Sequence, residues 1–254
     1  MYTHKFYDFN VMATRKSANK IVDFVLGLYE PRSVVDVGAS GGLFIKEFLD
    51  RGIEDVMGID GPWIPDELVC IPKNKFVRRD FNSPLGLDRK FDMAICLEVL
   101  EHLNKDPAIS ILNEIAGISD VILFSAAIPG QGGTHHVNEQ WPSFWAEKLE
   151  MLGFKVIDIR PYLWNDNNIL PWYRQNIILY AREPFYEQIK TRLERYTLKE
   201  PINLIHPEML YFGLFSNKGG FFTHFIERVN VFISRATRWY LFRRNREMYF
   251  PKDK

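Results

Sequence analysis

Residues 33–42, SVVDVGASGG, combine one acidic side chain with a backbone that carries few side chains. The β-branched residues around Asp36 predict a buried strand, and the glycines after it predict a tight turn into a helix. A dinucleotide needs the spacing GxGxxG at such a turn, so that its pyrophosphate meets the helix N-terminus. Counted from Gly38, this spacing requires glycine where the chain has Ser40 and Leu43. A pyrophosphate ligand is therefore not favoured.

Acidic residues follow each of the first three predicted strands. Asp36 lies at the end of the first, Asp60 of the second and Asp80 of the third, with Phe81 next to it. A carboxylate at Asp36 suits a cationic ligand better than an anionic one, which favours S-adenosylmethionine with its ammonium and sulfonium groups. Asp60 is placed to accept hydrogen bonds from both ribose hydroxyls, as in nicotinamide-binding folds, and Asp80 and Phe81 are placed to contact the adenine.

A glycine-rich loop with two histidines, GQGGTHHVNEQWPSFW, covers residues 130–145. Histidine titrates near neutral pH, so His136, and in second place His135, are candidate general bases for a hydroxyl acceptor. Asn138 and Glu139 are candidates to orient the imidazole or to bind acceptor hydroxyls. In the alternative interpretation the histidines only satisfy backbone groups of the loop.

Four tryptophans lie in or after this loop. They form either an aromatic wall for a sugar ring or part of the hydrophobic core, and core packing is the favoured interpretation. The four are Trp141, Trp145, Trp164 and Trp172.

The string EVLEH contains a second candidate site. Glu98, Glu101 and His102 are spaced so that one helical turn would place all three on the same face. Carboxylates and imidazole together are ligands for a divalent ion. In the alternative interpretation Glu101 and His102 only cap the turn, and no metal is bound.

Strands and helices alternate as far as Glu183, which predicts a doubly wound, mostly parallel, seven-stranded Rossmann-like α/β sheet. The first helix is predicted to begin at Ser17 as a cap. The last two strands are joined by a segment with no predicted helix, so they are expected to form an antiparallel pair at one end of the sheet. We predict a cofactor-binding domain over residues 1–183 and a basic, amphipathic, helical extension over residues 184–254.

Apolar residues recur from Phe222 to Tyr240 at spacings of three and four, which predicts a long amphipathic helix. Arginines on or beyond this helix favour contact with anionic lipid, self-association or a lid over the α/β domain, with burial against protein preferred. A nucleic-acid partner is not favoured, because no defined RNA-binding module is recognised. The arginines are Arg228, Arg235, Arg238, Arg243, Arg244 and Arg246.

The composition is that of an ordinary globular protein, with 46% hydrophobic and 25% charged residues and a net charge of zero. The N-terminus lacks the pattern of a signal peptide, and no apolar stretch reaches the roughly 18 residues that span a bilayer. Cys70 and Cys96 have no CxxC neighbour, which is typical of a reducing compartment. We predict a cytoplasmic protein, with peripheral contact at the inner membrane face if the extension binds lipid.

Taken together, the strand-end motifs resemble those of the class I S-adenosylmethionine-dependent methyltransferases. VVDVGASGG is similar to their first motif, GIDG to the second, RRDFNSP to the adenine-contact motif and FDMAICLEVLEHL to the fourth-strand motif, in order within residues 33–183. Ser40 stands where many members have glycine, at a position that needs only a small residue. The resemblance implies S-adenosylmethionine as cofactor, bound by Asp36, Gly38, Ala39, Ser40, Gly42, Asp60, Gly61, Asp80, Phe81 and Leu97.

The resemblance also implies that residues 97–100 face the acceptor, which adds Glu98 to His136 and His135 as catalytic candidates. Similarity to bacterial methyltransferases of small molecules and surface polysaccharides implies O-methylation of a sugar or other small hydroxylated acceptor, with His136 as general base. EVLEH is also similar to methyltransferases of the 3′-terminal ribose of small RNAs, where such a triplet and a later histidine hold a metal; in this chain that resemblance implies His135 or His136 as the later histidine. Metal-assisted 2′-O-methylation of RNA ends is therefore one alternative, and a non-catalytic, cofactor-binding scaffold is another.

Overall fold

The computed structural model describes residues 4–193 and 203–209 of the chain. Its strands are β1 (Ser33–Val37), β2 (Asp55–Asp60), β3 (Phe76–Arg78), β4 (Met93–Leu97), β5 (Val121–Ser125), β6 (Lys155–Ile157) and β7 (Ile178–Ala181). Within the described residues they form one sheet in the order β3-β2-β1-β4-β5-β7-β6. Every neighbouring pair is parallel except the two that include β7. The predicted mostly parallel sheet with an antiparallel end pair is confirmed.

Helices cover both faces of the sheet, and for this reason every residue of β1, β4 and β5 is buried. One face packs against α3 and α4, and the other packs against α1, α2, α5, α6 and α7. The helices are α1 (His4–Leu28), α2 (Leu43–Leu49), α3 (Lys105–Ile118), α4 (Pro142–Met151), α5 (Arg160–Leu163), α6 (Pro171–Asn176) and α7 (Phe185–Arg192). Trp145 is part of the core and is 1% exposed, so it cannot belong to a sugar-binding wall.

The prediction that Ser17 caps the first helix is wrong. Ser17 lies within α1, where its hydroxyl donates to the Ala13 carbonyl at 3.0 Å and accepts from the Leu170 N–H at 2.9 Å. No proline or glycine precedes Ser17 in the chain, so nothing in the backbone ends the helix there. The serine instead ties α1 to the start of α6.

The segment between β6 and β7 contains two short helices, α5 and α6, where the sequence predicts none. Each helix is too short to show a periodic apolar pattern, and each has a proline in its first two positions, where the missing N–H costs nothing. Arg160 of α5 connects the two helices. It forms a fully buried ion pair with Asp158, and it also donates to the carbonyl of Gln175 in α6 at 3.2 Å. Helix α6 is thereby held beside the carboxyl end of β4.

The described part of the predicted extension packs against the α/β domain. Helix α7 contacts α1, β6 and β7, and Ile189 is buried there. Residues 203–209 lie on the α5–α6 region, with His206 and Met209 buried. The predicted amphipathic helix Phe222–Tyr240 lies outside the described residues, so its contact with lipid or with a second copy stays a prediction. None of the helices in the described ranges is both long enough and apolar enough to span a membrane.

Candidate active site

The turn after β1 has the backbone geometry that its glycines predict. Gly38, Ser40 and Gly42 all have positive φ, at 89°, 49° and 83°. A Cβ on Gly38 would lie well inside van der Waals contact with the side chain of Val99. Gly42 then forms the N-cap of α2. Glycine is therefore required at position 38, because the Val99 side chain from the segment after β4 packs directly against this turn.

Gly38→Ala is expected to lower the free energy of unfolding by more than about 1 kcal/mol, because alanine is strained at positive φ and its methyl would meet Val99. Gly27→Ala in α1 is the matched control, since no heavy atom lies within 4 Å of the position that its methyl would take. The control should be as stable as the wild type or slightly more stable. Urea unfolding of both variants measures the difference, and equal stabilities would contradict the prediction.

Asp60, at the end of β2, holds the turn after β1 in place. Its two carboxylate oxygens accept from the backbone N–H groups of Ser40 and Gly61, each at 2.6 Å. Each oxygen retains a lone pair for a further hydrogen bond. The ring of Trp63 packs over Gly61, so closely that a Cβ there would collide with it. Trp63 is a neighbour of this site that the sequence did not indicate.

Asp36 is 3% exposed within β1. Burial, and secondarily the nearby Asp60 carboxylate, raise the pKa of Asp36 to about 8. A buried carboxyl group next to a second acid has a strong preference for a positive partner. This observation fits a cationic ligand at the end of β1 and disfavours a pyrophosphate.

Asp80 and Phe81, the two residues predicted to contact adenine, follow β3 and differ from each other in burial. Asp80 is exposed, and its Oδ1 accepts from the backbone and side-chain nitrogens of Asn82, both at 2.9 Å. Phe81 is buried against the apolar cluster on the α3 face of the sheet. Both remain at the carboxyl edge of the sheet, on the same side as Asp60.

Glu98 directly follows β4 and has φ 56°, which interrupts regular backbone. Its Oε1 accepts from the Asn176 amide at 3.0 Å, and its Oε2 accepts from the Gln131 amide at 2.9 Å. Burial raises the pKa of Glu98, opposed by these hydrogen bonds. Sequence reasoning missed Gln131 and Asn176, because they come from distant segments that only the fold brings to β4.

In the loop after β5, the ring of His136 contacts Glu139, one of the two residues predicted as candidates to orient it. The Nδ1 of His136 lies 3.1 Å from Glu139 Oε1. Glu139 itself accepts from the Gly130 and Gly132 N–H groups at 2.7 and 2.9 Å, so its position is fixed. Since a carboxylate only accepts, the Nδ1 of His136 is the donor in this hydrogen bond, and Nε2 is the ring nitrogen that does not contact Glu139.

The other loop candidates play different parts. Asn138 is buried and donates to the Leu100 carbonyl at 3.2 Å, so it supports the loop and does not orient the imidazole. His135 is exposed, with φ 62°. Trp141, Trp164 and Trp172 are partly buried, and Trp164 contacts His206 with ring centroids 4.6 Å apart and the rings tilted by 52°. The three tryptophans lie in different segments: Trp141 directly before α4, Trp164 directly after α5 and Trp172 in α6.

Glu101, His102 and His136 form a cluster whose potential ligand atoms all lie within 4.8 Å of one another. Both carboxylate oxygens of Glu101 are buried without a hydrogen bond of normal geometry, although the N–H groups of Glu101 and Ala127 approach them. Burial and Glu98 raise the pKa of Glu101 well above its usual range. Burial, followed by His136, lowers the pKa of His102.

Glu98 does not join this cluster, so the prediction of one helical face for Glu98, Glu101 and His102 is wrong. The helical turn covers only Leu100–His102, and the positive φ of Glu98 turns its side chain toward Gln131 and Asn176. The third member is instead His136. An orphaned buried carboxylate between two imidazoles fits a divalent ion.

Comparison with known proteins gives a family match. Residues 12–125 match the model of a family described as a methyltransferase domain. A search of the curated proteins finds no match. The 429 matching solved chains show that the fold is common, so it does not by itself indicate a substrate.

Three of the solved structures that are similar to this chain are methyltransferases. Magnesium protoporphyrin IX methyltransferase from Synechocystis PCC 6803, with bound S-adenosylmethionine, is 17% identical, with 72% of this chain and 86% of that chain covered and a TM-score of 0.50. CcbJ methyltransferase from Streptomyces caelestis is 11% identical, with 66% and 90% covered and a TM-score of 0.50. The methyltransferase domain of bacterial CtHen1-C is 17% identical, with 66% and 97% covered and a TM-score of 0.49.

At these identities the solved structures establish the fold alone. Residues 12–125 contain β1 to β5, with Asp36 in β1, Asp60 at the end of β2 and Glu98 directly after β4. This part of the chain is therefore a methyltransferase domain, with the fold of the class I S-adenosylmethionine-dependent methyltransferases.

Proposed function

We propose that the protein methylates a hydroxyl group of a small hydroxylated acceptor such as a sugar, with His136 as general base. The observation that carries the proposal is the hydrogen bond between His136 Nδ1 and the fixed carboxylate of Glu139. It leaves Nε2 to remove the hydroxyl proton as the acceptor oxygen attacks the methyl carbon. S-adenosylmethionine supplies a methyl group that is already activated by the sulfonium.

The cofactor is proposed to lie along the carboxyl ends of β1, β2 and β4. Asp36 faces the positive charge, the two oxygens of Asp60 accept from the ribose hydroxyls, and the bare backbone at Gly38 allows close approach. The remaining proposed contacts are Ala39, Ser40, Gly42, Gly61, Asp80, Phe81 and Leu97.

The polar group around Glu98 is proposed to bind the acceptor. Glu98, Gln131 and Asn176 present carboxylate and amide groups at the carboxyl edge, where hydroxyl groups find both donors and acceptors. Asn176 also donates to Gln131 at 2.9 Å, so the three side chains form one connected polar group, in which Asn176 itself is buried. A polar group of this kind supports a sugar or polyol better than an apolar acceptor.

The proposal is tested by incubating the purified chain with S-adenosylmethionine and a panel of sugars, sugar nucleotides and small RNAs. Formation of S-adenosylhomocysteine and of the methylated acceptor is followed by mass spectrometry, with and without a chelator. Chelator-insensitive methylation of a small hydroxylated acceptor is the expected result. Methylation of nitrogen, or no product with any acceptor, would contradict it.

The second candidate is metal-assisted 2′-O-methylation of RNA ends, and the Glu101–His102–His136 cluster is the observation that favours it. In this function the three side chains hold a divalent ion, and Glu139 orients His136 as an outer partner. The ion would stabilise the attacking hydroxyl as an alkoxide.

Metal binding can be measured without an acceptor. If the cluster binds an ion, Mn²⁺ or Zn²⁺ should raise the melting temperature of the wild type, because an ion that binds only the folded state stabilises it. Glu101→Gln should abolish this increase, and Glu54→Gln, on an exposed loop before β2, should retain it. An identical response of wild type and Glu101→Gln would remove the metal site.

Asp36 gives the cofactor affinity a defined pH dependence. With a pKa of about 8, its carboxyl is protonated below pH 8 in the free protein, and a cationic ligand favours the ionised form. Binding therefore releases a proton, and the association constant should rise by up to about tenfold per pH unit below pH 8.

Calorimetry between pH 6 and pH 7.5, in buffers with different ionisation enthalpies, measures the proton release for S-adenosylmethionine. Asp36→Asn has no carboxyl to titrate and should remove the slope. A slope that persists unchanged in this variant would show that another group releases the proton.

A further inference from the structure

A chain of hydrogen bonds leads from Glu98 to the segment of residues 203–209, which we call the docked segment. Asn176 Nδ2 donates to Glu98 Oε1, and Asn176 Oδ1 accepts from Gln175 Nε2 at 3.1 Å. Gln175 Oε1 in turn accepts from the backbone N–H of His206 at 2.5 Å. Gln175 is 0% exposed, so solvent does not compete for these bonds.

The docked segment has its own anchors on the α5–α6 region. Arg174, which is buried, pairs with Glu208 Oε2 at 2.6 Å. The ring of His206 contacts that of Trp164, and its Nε2 lies 3.1 Å from the Trp164 carbonyl. The Glu208 N–H donates to His206 Nδ1 at 3.2 Å, which fixes the ring as the Nε2–H tautomer. These contacts do not involve the amide of Gln175.

The orientation of each amide in the chain follows from the one before it. A backbone N–H can only donate, so the Gln175 atom that faces His206 is the oxygen, and the nitrogen faces Asn176. Asn176 must then present its oxygen to Gln175 and its nitrogen to Glu98.

The same nitrogen of Asn176 also donates to Gln131 Oε1 at 2.9 Å, and the Ile128 N–H donates to the same oxygen at 3.4 Å, so Gln131 Nε2 is left to donate to Glu98 Oε2. Rotation of the Asn176 or the Gln131 amide by half a turn would place an oxygen against the Glu98 carboxylate, whereas rotation of the Gln175 amide would place its oxygen against Asn176 Oδ1. An oxygen opposite a partly buried carboxylate is repulsive, whereas a donor is attractive.

We propose that the docked segment is a positioning element of the methyltransferase site, in which the backbone N–H of His206 fixes, through Gln175, the Asn176 amide that donates to Glu98. The inference requires Glu98 to lie in the active site. It does not require His136 to be the base or the acceptor to be a sugar. It gives residues beyond the sheet domain a defined effect on the site.

The test compares two substitutions of one residue in the full-length chain. His206→Pro removes the N–H that starts the chain of hydrogen bonds, whereas His206→Ala keeps the N–H and removes the ring contacts with Trp164 and Glu208. The readout is hydrogen exchange of the Asn176 and Gln131 side-chain amides by ¹⁵N NMR, with resonances assigned by their loss in Asn176→Asp and Gln131→Glu.

In the wild type and in His206→Ala the two amides should exchange slowly. In His206→Pro the Asn176 amide should exchange about tenfold faster, because a hydrogen bond no longer enforces its orientation, and the Gln131 amide, whose oxygen also accepts from the Ile128 N–H, should change less. Gln175→Leu removes both the acceptor for His206 and the donor to Asn176, so it should behave like His206→Pro. It replaces His206→Pro in the test if that variant does not fold.

Two results would overturn the proposal. One is slow exchange in both His206→Pro and Gln175→Leu. The other is exchange that becomes equally fast in His206→Ala, in proportion to the loss of melting temperature. This result would indicate that residue 206 has a purely structural role. The measurement needs no acceptor, so its failure leaves the proposed O-methylation untouched.

Discussion

His136→Ala is expected to lower turnover by about 10²–10⁴, the usual contribution of a general base, while the affinity for S-adenosylmethionine stays close to that of the wild type. The reason is geometric. Glu139 fixes the Nδ1 side of the ring and leaves Nε2 as the basic atom, and neither side chain belongs to the turns after β1 and β2. Single-turnover rates and cofactor titration by calorimetry separate the two effects.

Two further variants identify what His136 does. His135→Ala should lower turnover far less, because the His135 side chain is exposed, whereas the carboxylate of Glu139 orients His136. His102→Ala should also have a smaller effect if His136 is a base. If His102→Ala and a chelator both abolish turnover, the cluster with Glu101 acts as a metal site. An unchanged rate in His136→Ala would remove this residue from the mechanism.

Asp60→Ala is expected to weaken the binding of S-adenosylmethionine by about 10²–10⁴. Hydrogen bonds to a charged group contribute about 1.5–3 kcal/mol each, and the variant loses the acceptors for both ribose hydroxyls. It also leaves the N–H groups of Ser40 and Gly61 without their partner, which loosens the turn that surrounds the cofactor. Calorimetric titration of the purified variant gives the dissociation constant directly.

Asp55→Ala is the matched control, because it removes an acid from the opposite end of the same strand. Asp55 is exposed and forms a surface ion pair with Arg89, so its loss should leave cofactor affinity unchanged. If Asp60→Ala binds the cofactor as tightly as Asp55→Ala does, the ribose is not held at the end of β2.

The sheet could be predicted because its signal is local. Short, uninterrupted apolar runs such as residues 33–37 and 93–97 are buried on both faces, and each is followed by an acid or a glycine that marks its carboxyl end. In a parallel sheet these ends meet at one edge. The sequence alone therefore placed Asp36 and Asp60 on neighbouring strands at the same edge of the sheet, and in the structure Asp36 lies opposite Gly58 in the register.

Other parts of the site could not be predicted, since they depend on segments that are distant in the chain. Gln131 and Asn176 reach Glu98 from the loop after β5 and from α6, and no local pattern connects them to β4. Helix α6 itself has only six residues, too few for a periodic signal. The departure of Glu98 from the EVLEH face follows from one positive φ angle, which the sequence does not reveal.

By itself, the sequence determined the class of fold and the cofactor, and it predicted the acids at the strand ends, because strand burial and charge at a strand end depend on neighbouring residues. Only the tertiary structure decided which of the candidate side chains contact one another. It joined His136 to Glu139 and to the orphaned Glu101, and it linked Glu98 to His206 through α6. Hydrogen bonds and ion pairs act over about 3 Å, so their partners are set by how the chain folds back on itself.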